Sequence, residues 1–343
     1  GLGVGPLFFG PLSDSLGRKP MVFVGFGIFI LASFICVYAK SLEIMVLGRI
    51  LQGFGLSAPR TISVAIIRDL YAGDYMAKIM SFVIVIFLLV PIIAPAMGKL
   101  ILDSFNWEAI FIFQILFCLL IAFWFWKRQE ETLDPKNRID FKIDLFKKGF
   151  LELMHFKKTI AYTLISGLIT GSFMVYLSTS QQIFQEQYGL KETFPYIFAG
   201  LATASGGAIL LNGLFVVKYG MKKIINISLI GFFLISVCYA FLFYNSVNPP
   251  LIIILSFFSL QFFCLGFLFG NLRAIAMEPV GHIAGIGAAI TGFISTLMAV
   301  PISIVIGKFV RLTVLPIFIG FSICSFISIL ILIVLTIKAP QNN

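Results

Sequence analysis

The sequence predicts an all-α, polytopic membrane protein, and three observations lead to that class. Its 343 residues have a mean hydropathy of +1.04, with 59% hydrophobic and only 12% charged residues. So few polar side chains cannot cover a soluble core of this size. Apolar runs of about 18 residues or more, long enough to cross a bilayer as helices, recur along the chain. The basic residues lie in the short connectors beside these runs, as in membrane proteins.

Other classes are disfavoured by where the charged and reactive residues lie. The net charge of +10 would suit a nucleic-acid partner, but its placement in connectors favours an orientation signal beside a lipid bilayer. The five cysteines all fall inside apolar runs without a Cys-x-x-Cys pair, so we expect no disulfide framework, metal site or cofactor. The two histidines stand beside no deep carboxylate, which argues against a membrane-embedded enzyme.

The order of elements is one partial span followed by ten full spans. The partial span, residues 1–11, lacks a charged start, so we expect the chain to begin inside a helix. A connector at 127–159 divides a first bundle, 1–126, from a second, 160–338. Aromatic and basic residues alternate in this connector, which predicts a partly helical segment along the membrane surface. The full spans are expected at 21–39, 42–67, 77–102, 107–126, 160–183, 194–217, 223–244, 250–272, 284–307 and 313–337.

Basic residues distinguish the two sides of the membrane. When alternate connectors are assigned to alternate sides, most Lys and Arg residues collect on one side. The positive-inside rule then places the first loop, the central connector and the C-terminus in the cytoplasm. The other side receives only Lys40, Lys99, Lys191, Lys308 and Arg311.

A charged loop at 10–20 lies between the first two apolar runs. Its glycines permit backbone conformations closed to other residues, and its acid can bond N–H groups at a helix start. The string resembles the G-x-L-x-D-x-x-G-R-K loop signature of the major facilitator superfamily at every fixed position. That resemblance implies two six-helix bundles, here without the first helix and most of the second. A gating role is a hypothesis from sidedness, because Asp14 should lie on the same side of the membrane as the start of the span 284–307 and can bind its N-terminus. The matching positions are Gly10, Asp14, Gly17, Arg18 and Lys19.

A weaker copy of this loop occurs in the second half. Gly213, Gly220 and Lys222 repeat the positions of two glycines and a lysine of the first loop. Val217 and Met221 replace its acid and its arginine, so the copy is degraded. A repeat at this spacing supports an origin by duplication of a six-span unit.

The span 42–67 carries a cation inside the membrane. Arg49 lies about 10 Å from the start of the helix at 1.5 Å per residue, and Gln52 shares its face. An intramembrane cation normally faces a cavity or a partner, although snorkelling to the outer interface is the alternative. The string R-x-x-Q-G-x-G resembles the fourth-helix motif of the superfamily. The resemblance implies a role for Arg49 and Gln52 in proton coupling.

The span 77–102 contains two prolines four residues apart. Pro91 and Pro95 remove helical hydrogen bonds, so we expect a kink with exposed carbonyl groups. The segment ending in Gly98 and Lys99 resembles the fifth-helix antiporter signature, in the A-P form of the bicyclomycin-resistance (Bcr/CflA) exporters. Lys99 departs from that pattern. The resemblance implies export by proton antiport rather than uptake.

Polar and aromatic side chains inside apolar spans are the candidates for a substrate pocket. Each has a simpler alternative, a hydrogen bond between helices. No acidic residue lies deep in a span, and the resemblance implies that the proton-carrying carboxyl belongs to the absent first helix. The candidates are Gln114, Tyr176, Gln181, Asn212, Gln261 and Asn271.

Taken with the resemblance, the sequence predicts a monomeric secondary transporter with alternating access. We expect it to exchange protons for a small apolar or amphipathic compound, and to bind no nucleic acid. A proton-coupled importer, or a sugar or metabolite exchanger of the same fold, is the alternative.

Overall fold

The computed structural model describes residues 1–71, 73–138, 143–244 and 248–337, and every regular element in these ranges is a helix. Within these ranges, few side chains before Ile93 in the fourth helix are described, and none at 143–148 or 281–285. Short 3₁₀ turns lie at Pro135–Asn137 and Glu278–Ile283, and a π-helical segment at Gln182–Gln187. The α-helices are α1 Gly5–Leu16, α2 Arg18–Val37, α3 Leu42–Leu70, α4 Gly73–Ser104, α5 Glu108–Arg128, α6 Ile143–His155, α7 Lys157–Gln181, α8 Phe194–Tyr219, α9 Met221–Leu242, α10 Leu251–Met277, α11 Ala284–Gly307 and α12 Leu315–Ile337.

Each of the ten predicted spans coincides with one long helix, and most boundaries differ by a few residues. Nine helices of the described part are long and apolar enough to cross a membrane. The central connector contains the amphipathic helix α6, as its mixed pattern predicts. Its position along the membrane surface stays a prediction.

The first loop is shorter than the sequence predicts. Helix α1 continues to Leu16 and α2 begins at Arg18, so Gly17 is the residue between them. The Ser13 hydroxyl donates to the Gly10 carbonyl (2.6 Å), a bond compatible with a continuing helix. Gly17 breaks the helix because its φ of 110° is a conformation that L side chains avoid. Gly220, its predicted repeat, has φ 77° and separates α8 from α9 in the same way.

The chain divides into two compact units, one made of Gly1–Leu89 with Ala96–Gly149, the other of Val90–Pro95 with Phe150–Asn343. The predicted bundle limits, 1–126 and 160–338, stay a prediction. In the first unit α2 and α3 cross at glycines. A Cβ added to Gly25 would lie 2.5 Å from the Ala58 Cβ, so the two backbones are in close contact.

The second unit uses the same close packing and adds an aromatic core. A Cβ on Gly171 of α7 would lie 2.9 Å from Ile302 of α11, so small residues let these helices approach. The Tyr176 ring lies 5.3 Å from that of Phe258 and 4.6 Å from that of Phe262, both on α10. These side chains are buried, and edge-to-face contacts fix how α7 and α10 pack.

Candidate functional site

A chain of polar side chains joins three helices of the first unit inside the membrane-spanning region. The Arg49 Nη1 donates to the Gln52 Oε1 (2.9 Å), one turn further along α3. The Gln52 Nε2 donates in turn to the Ser33 Oγ of α2 (2.7 Å) and, more weakly, to the Gln114 Oε1 of α5 (3.4 Å). Three of the predicted site residues are therefore brought together, and Ser33 is added to them.

The hydrogen-bonded side chains differ in how far they are exposed. Gln52 and Ser33 are 2% and 0% exposed, whereas Arg49 is exposed on the surface of the unit. The Arg49 guanidinium carbon lies 5.9 Å from the centre of the Phe111 ring, at the limit of a cation–π contact. Gln52 lies further along α3 than Arg49, so their bond directs the guanidinium away from the N-terminal end of the helix. A fixed cation at this depth favours a negative charge in the space beside it.

A carboxyl that the sequence analysis missed lies at the start of α5. Glu108 is the first residue of this helix, one turn before Phe111. The Glu108 Oε2 is buried and meets no hydrogen-bond partner among the described residues. Glu108 stands at the end of its predicted span, so an expectation limited to acids deep in a span leaves it out, and its position in the sequence gives no other signal.

The break between α1 and α2 is held by a cluster of charges around Arg18. Arg18 as a residue is only 8% exposed. Its Nη1 donates to the Ser13 Oγ (2.8 Å) and forms an ion pair with Asp14. Its Nε donates to the Asp69 Oδ2 of α3 (3.0 Å). A buried cation needs such partners, and here two carboxylates and a hydroxyl supply them.

Glu131, in the connector after α5, caps the start of α2. Its Oε1 accepts from the backbone N–H of Arg18 (2.9 Å) and its Oε2 from that of Lys19 (3.0 Å). The Leu133 N–H also donates to Oε1 (3.0 Å). Partial burial works to raise the pKa of Glu131, but these backbone donors outweigh it and hold the pKa below its ordinary value. A carboxylate at this position also faces the positive end of the helix dipole.

The predicted antiporter segment lies within α4. Pro91, Pro95 and Gly98 all belong to this one helix, and the side chain of Pro91 lies outside the described part. A Cβ added to Gly98 would meet nothing within 4 Å, and the same holds for Gly10 in α1. Among the described residues neither glycine is required by close packing, and a role in transport stays a prediction.

Most of the six pocket candidates form hydrogen bonds between helices. Gln114 bonds Gln52, as described above. Gln261 is fully buried and its Nε2 donates to the Ser236 Oγ of α9 (2.6 Å). The Asn271 Nδ2 donates to the Asn212 Oδ1 (2.6 Å), linking α10 to α8.

The other two candidates have different surroundings. Tyr176 is 1% exposed within the aromatic core, and its hydroxyl meets no partner among the described residues. Gln181 is exposed and its Nε2 donates to the Gln185 Oε1 (3.1 Å) in the π-helical segment. The structure thus shows the simpler alternative for four of the six, and a substrate pocket stays a prediction.

Comparison with known protein families identifies the family to which this chain belongs. A profile of the Major Facilitator Superfamily matches residues 1–303. The chain belongs to the major facilitator superfamily. It is therefore a multi-pass membrane transporter rather than an enzyme. The predicted all-α major facilitator fold is confirmed.

Several bacterial members of the superfamily are similar over most of the chain. The uncharacterized MFS-type transporter YdgK of Bacillus subtilis (strain 168) is 29% identical over 317 residues, covering 90% of this chain and 77% of the relative. The bicyclomycin resistance protein homolog of Haemophilus influenzae is 31% identical over 230 residues, 67% of this chain and 58% of the relative. Multidrug resistance protein MdtL of Citrobacter koseri is 26% identical over 339 residues, covering 97% of this chain and 83% of the relative.

A solved major facilitator structure shares the fold. The crystal structure of the human organic anion transporter MFSD10 (TETRAN) aligns with a TM-score of 0.64 and 16% identity, covering 97% of this chain and 80% of that one. At this identity the likeness concerns the fold alone.

Proposed function

We propose that this major facilitator protein exports small apolar or amphipathic compounds in exchange for protons. The names of its relatives support export of drugs, since they include a bicyclomycin resistance protein homolog and a multidrug resistance protein. Proton coupling is supported by one observation, the Arg49 charge held at membrane depth by the buried Gln52 and Ser33.

The coupling follows from the electrostatics of Arg49. A cation in the middle of a membrane costs about 2.5–3.5 kcal/mol on insertion scales, so its position requires a compensating function. The guanidinium stabilises the ionised form of a carboxyl facing the same space, and such a group releases its proton more readily. Cargo that pushes the guanidinium towards that carboxyl strengthens the stabilisation and favours release of the proton, so cargo and proton occupy the protein in turn, as exchange requires. Glu108, at the start of α5, is the first carboxyl to test, because its Oε2 is buried without a hydrogen-bond partner among the described residues.

The cluster at Gly17 supplies the gating part of the proposal. Gly17 allows the chain to turn sharply, while Arg18 joins α1 and α2 to Asp69 at the end of α3. A rigid joint of this kind moves three helices as one body. Rigid-body movement of helices is how the superfamily alternates access to a central site. The gating role of Asp14 and Lys19 is part of the same proposal.

Transport in inverted membrane vesicles tests the proposal. Respiration acidifies the lumen of these vesicles, and an exporter carries ethidium inward while protons leave. We expect ethidium to collapse the pH gradient, seen as recovery of a quenched pH-gradient dye. Arg49→Ala should abolish the recovery, whereas Arg68→Ala, on the last turn of the same helix, should retain it.

Two results would contradict parts of the proposal. If Arg49→Ala exchanged protons normally, the coupling role of Arg49 would be wrong. If a panel of hydrophobic compounds collapsed no gradient, and accumulated only in right-side-out vesicles, the importer would replace the exporter.

A further inference from the structure

The two units contain the same interhelical hydrogen bond, which sets a correspondence between their residues. Gln52 of α3 donates to Ser33 of α2 (2.7 Å), and Gln261 of α10 donates to Ser236 of α9 (2.6 Å). Each serine hydroxyl also donates to the carbonyl oxygen four residues earlier, at 2.7 Å in both units. The match is one of contacts, and so it is independent of the sequence repeat at the two glycine turns.

The positions along the helices agree with these contacts. The serines are each the sixteenth residue of α2 and α9, and the glutamines are each the eleventh of α3 and α10. Continued along α3 and α10, the same correspondence pairs Asp69 with Glu278. Asp69 lies in the last turn of α3, and Glu278 directly follows α10. The two acids are therefore repeat-equivalent.

Both of these acids bond an end of the central connector. The Asp69 Oδ2 accepts from the Thr132 Oγ1 (3.1 Å), a few residues after α5 ends at Arg128. The Glu278 Oε2 accepts from the Lys158 Nζ (2.6 Å), at the second residue of α7. The connector thus meets an equivalent carboxylate near each of its two ends.

The base that pairs with each acid has changed position between the units. Asp69 pairs with Arg18, the first residue of α2. The equivalent first residue of α9 is Met221, which has no charge to offer. Glu278 pairs instead with Lys158 of α7. An ion pair is kept at this place although the sequence motif that carries it in the first unit has been lost.

We propose that Asp69 and Glu278 fasten the two ends of the central connector, with Lys158 as the positioning residue of the second end. Glu131 strengthens the first end, since it ties the connector to the backbone of Arg18 and Lys19. The fastening keeps the start of α7 next to the end of α10 while the transporter works.

The size of the effect follows from the exposure of the second pair. The Lys158 and Glu278 side chains are 29% and 55% exposed. Pairs with this exposure contribute little to folding, so we expect a change of about two- to fivefold in local opening and a folded protein. The backbone bond from the Ile160 N–H to the Phe156 carbonyl (3.1 Å) closes the first turn of α7 and reports on that opening.

Hydrogen–deuterium exchange of the full chain in nanodiscs tests each end separately. In Glu278→Gln and Lys158→Gln, the amides of Ile160 and Ala161 should exchange about two- to fivefold faster, with those of Arg18 and Leu133 unchanged. In Glu131→Gln we expect faster exchange at Arg18 and Leu133 and no change at Ile160 and Ala161. The Glu131 carboxylate accepts hydrogen bonds from the Arg18 and Leu133 amides and so protects them.

Neighbouring residues of the same type are the controls. Glu130→Gln and Lys157→Gln change exposed side chains beside the proposed ones and should leave exchange at both ends as in the wild type. Exchanging the pair, Lys158→Glu with Glu278→Lys, should restore protection at Ile160.

Wild-type exchange in both Glu278→Gln and Lys158→Gln would overturn the proposal, and so would failure of the exchanged pair to recover protection. None of these readouts depends on transport, so they remain informative if the direction or the coupling ion proposed above is wrong.

Discussion

Replacing Gln52 by leucine should destabilise the first unit more than the equivalent change destabilises the second. Gln52→Leu removes the acceptor of the Arg49 guanidinium and the donor to Ser33. Gln261→Leu removes only a bond to Ser236 and a longer one to the Phe232 carbonyl (3.2 Å). The repeat of the two units therefore supplies its own matched control.

The magnitudes follow from these partners. Hydrogen bonds between membrane helices contribute about 0.6 kcal/mol on average, and bonds to charged groups about 1.5–3 kcal/mol. For Gln52→Leu we expect a loss of about 1–3 kcal/mol, allowing for partial solvation of the exposed Arg49. Gln261→Leu should change stability by less than about 1 kcal/mol, because it also removes an Oε1 atom that is buried without a partner in the described structure.

Unfolding of the purified protein by SDS, followed by the exposure of buried thiols such as Cys36 and Cys118, measures both changes. A double-mutant cycle of Gln52→Leu with Arg49→Ala should give a coupling of about 1–2 kcal/mol. Equal losses for the two glutamine variants, or a coupling near zero, would refute the claim that Gln52 holds the arginine.

Two further predictions concern the turn between α1 and α2. Gly17→Ala forces a side chain into the left-handed region and places its Cβ 2.7 Å from the Glu131 Oε2, so we expect a loss of about 1–2 kcal/mol in the SDS assay. Gly10→Ala, in open space within a helix, should be neutral or slightly stabilising. The pKa of Glu131 is lowered from 4.5, so its cap should stabilise the protein above about pH 4.5 and be lost as pH falls through the lower folded-state pKa. The melting temperatures of wild type and Glu131→Gln should therefore differ at pH 7 and converge in acid, and a constant difference would contradict this assignment.

The sequence by itself determined the fold class and the positions of the helices. Apolarity over a membrane-length segment is a local property, which is why all ten predicted spans coincide with helices. The string around Gly17 was also sufficient for the family, and the break at Gly17 follows from the freedom of a glycine. The extent of that turn was not predictable in the same way, because α1 continues to Leu16 through polar residues.

Only the tertiary structure decided which polar groups meet. Glu131 looks in the sequence like any other acid of the connector, yet it caps a helix 113 residues earlier in the chain. Gln52 was expected to lie near Arg49, but its buried partner Ser33 depends on how α2 crosses α3 at their glycines. The bond from Lys158 to Glu278 spans 120 residues in the same way. Helix formation satisfies backbone groups locally, whereas a polar side chain in a membrane protein must find its partner wherever packing places one.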